Sequence, residues 1–239
     1  MGKIHSNRNI AGGIGRFIFI NSGNDTYVRS KPTRVKQSAA TQKAALHFGK
    51  ISSVDKIFRQ SVLRLLPVTT DSKYAYRHRS RFSRMLTKEN QTHINNPPNV
   101  DYQPKAMLGF EFNADCQWQD VCRFFPEYEV QTDHRLSITL PALSWKNNFH
   151  PSEKSESIEC SFYVIAADIS SPDEVEIQIC SIFTLEILPN SDSPETVWTT
   201  DLLPSDQLIF VIGVCISQFE QRDRNNKDSA TAACYLWAV

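Results

Sequence analysis

The sequence is poor in the features that announce a membrane protein, a secreted disulfide scaffold or a metalloenzyme. No segment approaches the roughly 18 consecutive apolar residues of a membrane helix, and Met1 to Asn9 carries no apolar core of an export signal. A cytoplasmic protein without membrane contact is expected. Glycine is scarce, at 8 of 239 residues, which excludes collagen-like or glycine-rich linker architecture. The six cysteines include no pair with zinc-knuckle spacing, the nearest being Cys116 and Cys122. Free, buried thiols are expected, with no structural zinc site, other metal or cofactor.

Net charge is also missing, because 26 Lys and Arg balance 26 Asp and Glu. The balance hides a split. Through residue 90 there are 18 basic and 4 acidic residues, and beyond it 8 basic and 22 acidic, giving +14 and −14. Such asymmetry points to a polyanion-binding module or to two faces that meet, within one chain or between copies. With 41% hydrophobic and 22% charged residues the chain is globular in composition.

Periodicity divides the chain in the same place. Ile14 to Ile20 and Thr26 to Arg29 flank the turn-forming Asn21 to Asp25, predicting a β-hairpin that Pro32 closes. Ser38 to Phe48 reads as a helix capped by Ser38 and stopped at Gly49. A second helix carries Val54, Ile57, Phe58, Val62, Leu65 and Leu66 on one stripe, up to Pro67. A third, Ser72 to Leu86, places Ala75, Phe82 and Met85 or Leu86 near one side. Asn95-Asn96-Pro97-Pro98-Asn99 then breaks regular structure. The strand candidates beyond it are 108–112, 135–140, 161–167, 175–188, 207–217 and 230–239, separated by proline-containing turns. Arg135 to Leu140 alternates like a strand with one buried face, whereas Leu208 to Val214 is apolar throughout, like a strand covered on both. The expected class is α+β, with a basic hairpin and helical module over 1–95 and an acidic antiparallel β-sandwich of immunoglobulin or fibronectin kind over 100–239.

Several segments resemble a known family. Met1-Gly2-Lys3-Ile4, Gly12-Gly13-Ile14-Gly15-Arg16 and Tyr27-Val28-Arg29-Ser30-Lys31-Pro32 are similar to the opening of an uncharacterised Bacteroidota family, a domain of unknown function, and Leu136 to Asn148 to its C-terminal β-domain. The resemblance implies a bacterial protein with a basic N-terminal module and a β-sandwich, and implies no activity, cofactor or catalytic residue.

The candidate contact residues are cationic. Lys73, Arg77, Arg81, Arg84 and Lys88 follow one another at helical spacing along one face, suited to phosphates or to an acidic partner. Tyr74, Tyr76 and His78 stand nearby as stacking groups, Arg29, Lys31, Arg34 and Lys36 extend the basic surface, and Asp173, Glu174 and Glu176 are acids it could meet. Gly12 to Gly15 lacks the strand-then-helix context of a phosphate loop and reads as a bend. The histidines His5, His47, His78, His93, His134 and His150 form no metal or catalytic motif. Asp168 and Glu186 sit at strand positions with unknown separation. Trp118, Trp145, Trp198 and Trp237 read as core residues, since a ligand-stacking role needs two exposed on one face. The expected function is that of a non-enzymatic structural or interaction protein, binding a protein partner or itself through complementary surfaces. Nucleic-acid binding by the basic module is the alternative.

Overall fold

The computed structural model describes residues 3–4, 10–22, 25–31, 37–86, 102–151, 155–171, 174–201, 203–204, 206–219 and 231–239. They divide into two compact units, 1–45 and 46–239. Helices and antiparallel sheets together make the chain α+β. Among the described residues no helix is long and apolar enough to cross a membrane.

In the first unit β1 (Lys3–Ile4), β2 (Ile10–Ile14), β3 (Phe17–Ser22) and β4 (Asp25–Ser30) form an antiparallel sheet in sequence order. The expected hairpin is β3 with β4. The expected strand 14–20 is broken at its start, because Gly15 takes a φ of 57° and turns the chain between β2 and β3. The glycine-rich segment is thus a strand and a turn.

Helix α1 (Ala39–Leu65) begins where expected, the Thr41 amide donating to Ser38 Oγ at 3.2 Å. It does not stop at Gly49. A helical glycine costs only about 1 kcal/mol relative to alanine, and nothing lies within 4 Å of where a Cβ would be. The hydrogen-bond ladder therefore runs through it. Ile51, Val54, Phe58 and Val62 are buried at steps of three and four, while Leu65 stays 36% exposed. In α2 (Tyr74–Met85) the buried residues are Tyr74, His78, Phe82 and Met85. Ala75 is exposed, so the inward stripe sits one residue ahead of the expected one in the helix's first turn.

The second unit is organised by a four-stranded sheet in the order β13-β12-β8-β9: Thr231–Ala238, Leu208–Phe219, Ser155–Ser171 and Glu174–Ile187. Successive residues of β12 point to opposite faces. Phe210, Ile212 and Val214 join the α1 and α2 stripes in one apolar layer, while Ile209, Val211 and Cys215 join a second. Coverage on both sides explains the unbroken apolar run 208–214. The second layer is closed by α3 (Trp118–Val121), α4 (Trp145–Asn148) and the sheet of β5 (Glu127–Val130), β6 (Leu136–Leu140) and β11 (Thr196–Thr199), in the order β11-β6-β5. β7 (Leu143–Ser144) pairs with β10 (Asp192–Ser193).

Two expectations need correction. The compact units part at residue 45, not between 95 and 100. The helices before residue 95 and the strands after 100 share one core, with the rings of Phe58 and Phe210 5.9 Å apart. Apolar stripes on α1 and α2 require an apolar surface, and β8, β12 and β13 offer one. The proline-rich segment 95–99 lies outside the described residues. The expected strand 108–112 is instead a turn after a 3-10 helix (Pro104–Met107), with Gly109 at φ 69° and a single bridge from Glu111 to Cys234.

Candidate functional site

The cationic residues of α2 flank its buried stripe. Residues 77, 81 and 84 each precede an inward residue by one, about 100° around the helix. They consequently line a cleft of about 330 Å³ between α2 and the 109–117 segment. One wall is Tyr76, Arg77, Ser80, Arg81 and Arg84, and the other holds Gly109, Phe110, Glu111, Ala114 and Gln117. Lys73 is exposed at the N-cap of α2, and Lys88 lies outside the described residues. The structure therefore brings Arg77, Arg81 and Arg84 together in one site.

These arginines differ in their freedom. Arg77 is anchored: Nη1 donates to the Glu111 carbonyl at 2.8 Å, Nη2 donates to Asp71 Oδ2, and the guanidinium lies 5.1 Å from the Phe110 ring centroid. Asp71 Oδ2 also accepts from the Ala114 amide. Its slight burial raises the Asp71 carboxyl, but the Ala114 and Lys73 amides and Arg77 outweigh that and hold it below its ordinary value. Arg81 is half-buried and donates only a long 3.4 Å bond to the Ala106 carbonyl. Arg84 is exposed and makes no hydrogen bond or ion pair among the described residues. Arg77 is thus part of the frame, while Arg81 and Arg84 keep donors for a ligand. Among the described residues Glu111 is the only acid in the lining, and burial raises its carboxyl above its ordinary value.

Of the expected stacking groups only Tyr76 is available, at 70% exposure. Tyr74 and His78 are buried. His78 Nδ1 lies 2.6 Å from Asp55 Oδ1 and Nε2 lies 3.4 Å from the Tyr235 hydroxyl, while Arg59 Nε donates to Asp55 Oδ2 at 2.8 Å. Burial lowers the His78 pKa more than Asp55 raises it. The neutral ring donates through Nδ1 to the carboxylate and accepts from Tyr235 through Nε2. The trio has the connectivity of a catalytic dyad with a hydroxyl, yet Asp55, His78 and Tyr235 are all 0% exposed. No substrate reaches it, and it serves as a polar tie inside the core.

Other expected sites come apart. Asp168 pairs across β8 and β9 with Glu176, and Glu186 pairs with Glu159, nine residues further along β8. That is about 30 Å, so Asp168 and Glu186 cannot act on one bond. Trp118 and Trp145 are buried, and Trp198 and Trp237 are half-buried against the second layer. The expected acids fare no better: Arg77 has Asp71, from its own half of the sequence, as partner. Arg29 and Lys31 belong to the first unit, and Arg34, Lys36 and Asp173 lie outside the described residues, as do His5 and His93.

All six cysteines are free. Spacing gave no sign that Cys122, Cys160 and Cys215 converge, with their sulfurs within 4.8 Å of one another. Burial by itself raises the Cys160 thiol, but hydrogen bonding with Cys122 and Cys215 brings it down to about 6. The one signal available in the sequence was the apolar runs around Cys160 and Cys215.

Comparison with protein families, with curated proteins and with solved structures finds no match to this chain. The site must be read from its own geometry.

Proposed function

We propose that the protein is a non-enzymatic interaction protein that takes carboxylates of an acidic partner, another copy of itself included, into the cleft along α2. The observation that carries this reading is the Arg77–Arg81–Arg84 cleft. One arginine is fixed by backbone carbonyls and Asp71, and two present donors towards the cleft. Exposed acidic side chains suited to such a partner occur on this chain too, at Glu127 and Glu129 on the edge strand β5. The immunoglobulin- or fibronectin-like character of the sheets is part of the proposal, supported by two antiparallel sheets that share one apolar layer. Within it the β-layers serve as scaffold and the helical face as the binding surface. The likeness to the Bacteroidota family is carried as a proposal as well.

Light scattering across a salt series tests the reading. Association that weakens as salt rises and is lost in an Arg81→Gln/Arg84→Glu variant is expected. A strict monomer that captures no acidic polypeptide at low salt would sink it. The second reading, single-stranded nucleic acid, is favoured by the exposed Tyr76 beside the arginines, a platform on which a base can stack. It predicts oligonucleotide anisotropy that falls steeply with salt and drops in Tyr76→Ala.

A further inference from the structure

A different assembly lies in the apolar layer on the opposite side of the sheet from the helices. Cys160 in β8 stands directly across from Cys215 in β12, and Cys122 closes α3 as its C-cap residue. The three residues are fully buried. Their sulfurs lie within 4.8 Å of one another, with Cys160 and Cys215 Sγ 3.1 Å apart. Three sulfurs bound in a plane to one ion, each at about 2.3 Å, would stand about 4.0 Å apart. The Cys160–Cys215 pair is closer than that value, and no pair lies farther apart than 4.8 Å.

We infer that Cys122, Cys160 and Cys215 form a binding site for one soft monovalent cation of the Cu(I) class, held by three sulfurs. The donor set selects the ion. Thiolates favour Cu(I) and zinc over hard cations, which need oxygen ligands. Zinc requires four ligands, or three and a water. Among the described residues no fourth His, Cys, Asp or Glu joins the group, and Trp, Phe, Val and Ile side chains of the surrounding layer make an apolar setting that disfavours a bound water. Three-coordination without water is a geometry Cu(I) accepts.

Buried cysteines can also serve as small apolar packing residues. That account suffices for Cys234, whose thiol donates to its own residue's neighbouring carbonyl, that of Tyr235. It gives no reason for sulfurs from three distant segments to converge on one point. On loading, the ion takes the place of thiol protons, which leave to solvent. Two ligands are held in long strands, whereas Cys122 follows a single helical turn, so local opening of that turn admits the ion.

The experiment is anaerobic titration of the reduced, full chain with Cu(I) against a chromophoric Cu(I) chelator, with X-ray absorption on the loaded protein. One Cu(I) per chain and a three-sulfur shell are expected. Cys122→Ala, Cys160→Ala and Cys215→Ala each lower the affinity at least tenfold, while Cys180→Ser, outside the trio, leaves it unchanged. Circular dichroism identifies any variant that fails to fold, and the wild-type stoichiometry and sulfur shell then decide alone. The inference is overturned if the folded, reduced protein takes no Cu(I) from the chelator, or if folded Cys215→Ala binds as tightly as the wild type. It is equally overturned if Zn(II) binds with a four-ligand shell, or if mass spectrometry of the freshly purified protein shows a Cys160–Cys215 disulfide.

Discussion

The two apolar layers on either side of the central sheet solve one packing problem with different chemistry. The helix side encloses the Asp55 side chain with Arg59, His78 and Tyr235 around it, and its rings form a continuous set from Phe58 to Phe112 and Tyr235. The opposite side is an apolar layer that holds thiols, with Trp118 laid against Gly213. A buried charge demands fixed partners, so the helix side depends on a specific network. Thiols demand none, which leaves the other layer dependent on shape. The teaching is that a polar tie inside a core cannot be pruned one partner at a time, whereas a thiol cluster can.

The comparison is broken most severely at Asp55. Asp55→Ala removes the acceptor of both His78 and Arg59 and lowers unfolding free energy by about 3–5 kcal/mol, read by urea denaturation. A loss below about 1 kcal/mol would show that the network is dispensable. On the other face Gly213→Ala places a Cβ 2.5 Å from Leu236 Cδ1 and 2.8 Å from the Trp118 ring. Such overpacking costs about 1–3 kcal/mol, accompanied by a change in tryptophan near-ultraviolet circular dichroism.

A pH series distinguishes the layers more gently. The folded His78 pKa lies below the ordinary histidine value of about 6.5 because burial disfavours the cation. The unfolded chain therefore binds the extra proton first, so the stability His78 contributes is whole above pH 6.5 and is lost as pH falls through the lower folded value. His78→Asn removes this titration while keeping an amide donor within reach of Asp55, and the slope of stability against pH just below 6.5 should flatten. Unchanged slope would mean that another group titrates there. The smallest effect is expected at the surface: Arg84→Gln leaves the unfolding midpoint unchanged but weakens binding of an acidic partner severalfold in a salt-dependent manner, measured by anisotropy.

Much of the scaffold was legible in the sequence, and the reasons are local. The α1 start at Ser38 follows from cap chemistry, and β6, β9, β12 and β13 follow from alternation or from unbroken apolar runs. The arginines of α2 were legible too, because helical spacing alone puts 77, 81 and 84 in one row. Their setting was not. The inward stripe of α2 includes His78, which reads as polar until Asp55, 23 residues earlier, supplies its partner. The strand expected at 108–112 failed because the left-handed Gly109 turns the chain where alternation predicted extension.

Sequence by itself determined the class, the inward face of α1, the row of α2 arginines, the main strands of the central sheet and the charge split, since each depends on residues within a few turns of one another. Tertiary structure alone decided that the helices and the strands share a core, which basic residues line a cleft, and that three cysteines meet. Those outcomes depend on pairing between segments up to 157 residues apart, as between His78 and Tyr235. Side-chain periodicity carries orientation along an element but no information about which distant element will face it.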